Sequence, residues 1–422
     1  MDSTIYWIWL QEVLGVGSNL LHPVVNLFQN PEQLYKATPA QRERCGLFTA
    51  VELSRINKTD LKNAYSQLKL CAELYIDILT PESEEYPVLL KNIPNSPAVL
   101  YCWGTLPNMD RELGVAMVGT RKSTRQGERV AGILADDLAS AGAVVVSGGA
   151  NGIDTSCLHG ALNAGGQTVC VLGCGINYNY LMDNMPMRRA IAKRGAVISE
   201  YSPNAPPLPH HFPVRNRIMS GISRAVAVIE ADAESGALIT AHHAADQNRD
   251  IYVVKMNPML PNAQGINILL REGAVAIDSA SELLANYVNF PEFTDKIDWD
   301  ASGASLMDVM LENLPNSGPR PGRKPGRPPV RKSAKSQGEP QIKQAEVIPH
   351  KSEKIPQNPV ETYPKSEIAQ KIYDAMVPAT LHTIDFLQQS TGIPTGDLLA
   401  ALTEMEIMGD VLAMPGNQYK KR

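Results

Sequence analysis

Four short stretches carry the residue types that hold anions without transforming them. Val118-Gly119-Thr120-Arg121 leads through Ser123 and Thr124 to Gln126-Gly127. Ser147 to Asp154 reads SGGANGID and contains Gly148, Gly149, Asn151 and Gly152. In Pro213 to Arg217, Arg215 and Arg217 flank Asn216, and Glu230 is followed by Ser235-Gly236-Ala237-Leu238-Ile239-Thr240-Ala241. Glycine lets backbone approach a ligand closely, and amides at a helix start favour anions. Arginine forks match phosphate oxygens and stack on bases. One such loop is ordinary wherever a strand turns into a helix. Four on one edge of a sheet, with Arg121, Arg215 and Arg217 among them, make a phosphate-binding surface, and Lys255 at a strand end is a further cation aimed at it.

No catalytic residue, metal or cofactor is expected from this pattern. His210-His211 and His242-His243 are adjacent pairs, which on a helix point in different directions, and no H-E-x-x-H or cysteine partner accompanies them. The cysteines at 45, 71, 102, 157, 170 and 174 contain no C-x-x-C. Cys170 and Cys174, which flank a strand end and its glycine loop, read as packed thiols before they read as a redox pair. Reduced thiols point to the cytoplasm. No apolar run approaches the roughly 20 residues that span a bilayer, and the acidic start MDSTIYWIWLQEVLGVG is not a targeting signal.

The elements that position the loops follow from hydrophobic patterning. LGVAMVG, AVVVSG, TVCVLG, AVISE, AVAVIEA and DIYVVK are short apolar runs from residue 113 onward, the signature of strands buried on both faces. Helical stretches at 126 to 141, 152 to 164, 184 to 194, 214 to 223 and 236 to 248 fill the gaps. The expected fold is α/β, an extended Rossmann-like doubly wound sheet over 61 to 290, in which right-handed crossovers gather the loops at one edge. Residues 1 to 60 read as a small helical, SAM-like module with a glycine turn at Leu14-Gly15-Val16-Gly17. That turn resembles a helix-hairpin-helix, but no Lys or Arg follows it before Lys36, so helix packing is the favoured reading. A Pro-rich linker occupies 291 to 363. Residues 364 to 422 offer three helical runs and then VLAMPGNQY, the order of a winged helix, whose third helix carries Asp397, Glu404 and Glu406 and no basic residue.

Charge sharpens the picture. Hydrophobic residues make up 44% of the 422, charged residues 20%, and net charge is −5. The linker segment 318 to 335 holds seven Lys or Arg and no acid, which leaves −12 for the rest of the chain. Contact with a polyanion in the body must therefore be local. The linker is either a solubilising tether or a weak duplex-DNA contact, since Lys324-Pro325-Gly326-Arg327-Pro328-Pro329 resembles an AT-hook core.

VGTR, SGGANGID, GGQTVCVLGCG, ISEYSP, FPVRNRIMSG, IEADAESGALITA and GINILLREGA occur in this order over about 85 to 285. In this order the set resembles the DprA (Smf) family of DNA-processing proteins. The resemblance implies a non-enzymatic, cytoplasmic protein that binds single-stranded DNA, forms a homodimer and protects incoming strands while loading RecA during natural transformation. It carries Gly119, Thr120 and Arg121 onto the family's G-S-R turn, Ser147, Gly148, Gly152 and Asp154 onto its S-G-x-A-R-G-I-D loop, and Arg215, Asn216 and Arg217 onto its R-N-R. The chain departs from the pattern where Asn151 replaces the loop arginine, where Leu158 then His159 stand at the histidine, and where Lys255-Met256-Asn257-Pro258 replaces a Pro-Gly.

Two other classes compete. A nucleoside-monophosphate phosphoribohydrolase would use Glu230 as its acid or nucleophile, but its P-G-G-x-G-T-x-x-E is here Ala231-Asp232-Ala233-Glu234-Ser235-Gly236. A protein-docking adaptor would rely on the helical module and the acidic winged helix. A dinucleotide oxidoreductase is disfavoured because no G-x-G-x-x-G opens the first helix.

Overall fold

The structure is a computed structural model. It describes residues 3–290 except 182–183 and 257–259, residues 293, 297, 298 and 306, and, near the C-terminus, 367–376, 381–393, 398, 401–402, 405, 411–414 and 418–421. The basic linker and residues 257–258 lie outside the described residues. The chain divides into two compact units, Met1–Pro325 and Gly326–Arg422.

The first unit opens with six helices: α1 (Thr4–Leu14), α2 (Leu21–Phe28), α3 (Pro31–Lys36), α4 (Pro39–Arg44), α5 (Ala50–Lys58) and α6 (Lys62–Leu74). Short helices need good ends, and Thr38–Gln41 and Thr49–Glu52 form capping boxes at α4 and α5. Then follow β1 (Asp77–Leu79), α7 (Val88–Lys91), β2 (Leu100–Gly104), β3 (Gly114–Val118), α8 (Arg125–Ser140), β4 (Val144–Ser147), α9 (Ile153–Asn163), β5 (Thr168–Leu172), α10 (Met185–Arg194) and β6 (Ala196–Ser199). The unit continues with α11 (His211–Gly221), β7 (Ala225–Val228), α12 (Gly236–Asp246), β8 (Asp250–Val254), α13 (Gln264–Arg271), β9 (Val275–Ile277) and α14 (Ala280–Leu284).

All nine strands form one sheet in the order β1-β2-β6-β5-β4-β3-β7-β8-β9. Strands β3 to β9 pair in parallel, whereas β1 and β2 add an antiparallel edge through β6. Each apolar run is a strand, and every residue of β3 to β7 is buried, whereas β8 is buried only from Tyr252 to Val254. The order reverses at β3: the chain moves outward through β4, β5 and β6, then returns to β7 on the other side. Such a reversal opens a crevice at the carboxyl ends of the strands. On one face α8 packs on α9 through small residues, since a methyl group on Gly160 would lie 2.2 Å from the Gly132 carbonyl oxygen.

The N-terminal helices do not form a core of their own ending near residue 60. Helix α1 is apolar on nearly every side, with Ile5 to Leu10, Val13 and Leu14 all buried, and such a helix must be enclosed. Its residues share one apolar cluster with Leu158, Cys170, Leu172 and Val197 of the sheet layer. The turn after α1 is internal as well. The Gly17 amide donates to Glu200 Oε1 at 3.2 Å, and Gln11 bridges Glu200 O and the Val99 amide at 2.7 and 3.0 Å.

In the second unit α15 (Glu367–Ala375), β10 (Leu381–Thr383), α16 (Ile384–Thr391), β11 (Val411–Met414) and β12 (Gln418–Lys421) are among the described elements, and the strands form a sheet in the order β10-β12-β11. Residues 381–383, which carry the apolar spacing of the helical run TLHTIDFLQQST, are a strand because their backbone pairs with β12. Leu398, Ala401, Leu402 and Met405 are helical and buried, completing a small core with Ile372 and Leu387. Asp397, Glu404 and Glu406 lie outside the described residues.

Candidate nucleic-acid interface

The loops at the carboxyl ends of the parallel strands meet through contacts that only glycine allows. A methyl group on Gly119 would lie 2.6 Å from Ile153, and one on Gly152, at φ +86°, would lie 2.8 Å from both Ser123 Oγ and the Thr120 carbonyl oxygen. The turn after β3 is thereby seated on the turn after β4. Gly148 leaves room for two ionic groups, since a methyl there would stand 2.0 Å from Arg215 Nη1 and 2.6 Å from Asp154 Oδ2. Asn216 donates to the Gly236 carbonyl at 3.2 Å, which joins α11 to the turn after β7. The four anion-friendly stretches therefore do form one edge.

Within that edge the polar residues divide into struts and exposed groups. Ser147 is buried and donates to the Met117 carbonyl at 2.7 Å. The Thr120 amide donates to the Glu230 carbonyl at 2.8 Å. Glu230, fully buried, accepts from the Thr124 amide at 2.9 Å, from the Thr124 hydroxyl, and from Asn262 Nδ2 at 3.1 Å. A carboxylate so occupied is a clamp between loops, which removes the support for Glu230 as a hydrolytic acid. Ser235 caps α12 by accepting from the Ala237 amide at 3.3 Å, while Gly149, at φ +65°, is buried against Cys170.

Two cations assigned to the surface from sequence lie elsewhere. Arg217 is 1% exposed and donates to Glu200 Oε1 at 2.8 Å, so its guanidinium faces the α1 turn. Lys255 Nζ pairs with Glu282 at 3.2 Å beside β9 and α14. Arg215 does reach the loop but from beneath: it is 3% exposed and donates to the Val171 carbonyl at 2.6 Å. Burial raises the Asp154 carboxyl above the usual carboxylate range, against the opposing pull of Arg215, the Ala150 amide and Arg121.

Arg121, Lys122, Asn151 and Gly236 are among the exposed groups. Arg121 holds its guanidinium over the ring of Phe212, 5.0 Å from the centroid, in cation–π geometry. Phe212 is half-buried, packs against Tyr180 at 5.7 Å, and rests on Gly173, where a methyl would lie 2.9 Å from the ring. Lys122 and Phe212 were not singled out from the sequence. Their signals are slight: a cation next to Arg121, and an aromatic immediately before Pro213. No group of three or more metal-binding side chains occurs among the described residues, and no described helix is long and apolar enough to cross a membrane.

Residues 77–288 match the family model described as DNA recombination-mediator protein A, and residues 356–417 match the DprA winged helix domain. The chain belongs to the DprA (Smf) family. It is 36% identical over 290 residues to Protein Smf of Synechocystis, covering 68% of this chain and 73% of that one. It is 33% identical to the DNA processing protein DprA of Bacillus subtilis, covering 61% and 91% of the two chains. The crystal structure of DprA from Streptococcus pneumoniae superposes with a TM-score of 0.60 at 28% identity, over 68% of this chain and 98% of that one. The parallel-dominated α/β sheet is thus shared with a DprA structure, and the winged helix with the family's own domain model.

Proposed function

We propose that this DNA-processing protein binds single-stranded DNA without turning it over, along the sheet edge where Arg121 overlies Phe212. That pair is the observation that carries the reading. An exposed arginine fixed on a half-buried ring offers donors to a phosphate and a flat surface to a base, and stacking of this kind tolerates any sequence. Lys122, Asn151 and the turn at Ser235-Gly236 extend the contact. Arg215 acts from below by holding Asp154 and the Gly148 loop in place.

Family membership supports the finer parts of the proposal. The bound strand is protected and passed to RecA, the working form is a homodimer, and the compartment is the cytoplasm, in keeping with six free cysteines. The segment 318 to 335 supplies a weak contact with duplex DNA.

Fluorescence anisotropy with oligothymidylate, a duplex and mononucleotides, at two salt concentrations and with or without residues 318 to 335, tests this. Single-strand affinity that persists without the linker and falls with salt is expected. Equal affinity of Arg121→Ala and wild type for oligothymidylate would reject the site. Release of free base from nucleoside monophosphates would reject the non-enzymatic reading.

A further inference from the structure

Arg188, on α10, is 1% exposed, and its Nε, Nη1 and Nη2 atoms all lack a hydrogen-bond partner. Arginine keeps its charge in proteins, and an unpaired ion inside a protein is costly by several kcal/mol. Some other group must answer it.

The surroundings show where. Arg188 stands four residues after Asn184 and therefore on the same side of the helix. Asn184 Nδ2 donates to the Gly149 carbonyl and to Thr155 Oγ1, both at 3.3 Å, so that side faces the underside of the glycine loop. Arg188 and Arg215 both act on the thiols of Cys170 and Cys174, and Cys170 lies directly under Gly149. Burial nevertheless holds Cys170 up at about 11, with Cys174 also raised, so neither thiol is an anion at neutral pH. Asp154 is the carboxylate that interacts with Arg215. No salt bridge joins Arg188 to an acid among the described residues, and Arg215 Nε is itself buried without a partner.

We propose that Arg188 and Arg215 form an internal oxyanion site beneath the Gly148–Gly152 loop, and that it takes a phosphate dianion. Both guanidinium groups are at most 3% exposed, so the ligand proposed is a small oxyanion or the tip of a phosphate monoester. The site does not depend on the strand-binding reading above, since its residues lie under the loop whereas Arg121 and Phe212 lie on it.

Uptake of inorganic phosphate by the full chain tests the site, by equilibrium dialysis and by thermal melting against chloride at equal ionic strength. The expected result is one phosphate per chain and a saturable rise in Tm of about 4 °C or more. Arg188→Met should lose both, and should melt at or above wild type in phosphate-free buffer because an unanswered buried charge has been removed. If Arg188→Met does not fold, Arg188→Lys keeps a charge without the fork and should weaken uptake about tenfold or more. Absence of saturable uptake by wild type, or undiminished uptake by the Arg188 variant that folds, overturns the site.

Oligothymidylate with and without a 5′-phosphate identifies the source. Displacement of bound phosphate by the phosphorylated strand alone assigns the site to strand ends, and lack of displacement by either assigns it to the free ion. Arg121→Ala should weaken strand binding with phosphate uptake intact, so the two proposals fail separately.

Discussion

Arg217 Nη2 meets Glu200 Oε1 at 2.8 Å with both side chains at most 2% exposed, and the same carboxylate oxygen accepts the Gly17 amide at 3.2 Å. The last arginine of the R-N-R motif is therefore a bolt between α11, the end of β6 and the turn after α1. Gly17, at φ +78°, is needed there because a methyl group would lie 2.9 Å from Val214. Arg217→Met should destabilise the chain by about 3–5 kcal/mol by leaving Glu200 buried and unpaired. Chemical denaturation measures the loss, and adding Glu200→Leu should recover part of it. Single-strand affinity of the folded fraction should be unchanged.

Arg121 and Phe212 should behave in the opposite way. Phe212→Ala is expected to weaken oligothymidylate binding by about 1–3 kcal/mol. Arg121→Ala should weaken it too, and should lower the slope of log affinity against log salt by about 0.7, the value of one phosphate contact on a single strand. Exposed Arg121 contributes little to folding, so its variant should melt with wild type. A fall in Tm without a change in binding would reverse the assignment.

Asn151 is exposed on the same edge where the family pattern has arginine. Asn151→Arg should therefore raise single-strand affinity at low salt and steepen the salt slope by about 0.7, read by anisotropy at several salt concentrations. An unchanged slope would mean that the strand does not pass over this loop.

Gly148→Ala should be among the most damaging small substitutions, because the methyl must displace Arg215 or Asp154 from within 2.0 and 2.6 Å. A loss of about 3 kcal/mol or more is expected from overpacking against two buried charged groups. Gly236→Ala is the control: nothing lies within 4 Å of its added methyl, and it should fold like wild type.

His211 stacks on Tyr201 with centroids 3.9 Å apart, and its Nδ1 lies 3.2 Å from the Gly173 carbonyl. Burial, helped by neighbouring His210, depresses its pKa below the ordinary 6.5. The folded state therefore favours the neutral ring. The stability this provides is present above pH 6.5 and is lost as pH falls through the lower folded value. Thermal melts from pH 7 to pH 5 should show a steeper decline for wild type than for His211→Phe, which keeps the stack and cannot be protonated.

Much of the fold was legible because its signals are local. The six apolar runs from residue 113 are β3 to β8, and the glycine stretches after them do meet at one edge of the sheet. The antiparallel β1 and β2 escaped because three- and five-residue strands at a sheet edge carry little periodicity. Residues 381–383 of the wing read as helix because their strand character comes from pairing with β12, a segment more than thirty residues away. Phe212 was hidden for a similar reason: nothing local says that a ring at the start of α11 will lie under Arg121.

By itself the sequence determined the alternation of strands and helices from β3 to β8, the positions where the chain turns through glycine, and the family to which those turns belong. Periodicity and steric freedom are properties of adjacent residues and need no partner. Only tertiary structure decided which cations face solvent. Arg121, Arg215 and Arg217 are alike as residues, yet one is exposed over a ring, one is buried beside Asp154, and one is locked to Glu200. Burial and pairing depend on segments far away in the chain, and these set whether a guanidinium is free to meet a phosphate.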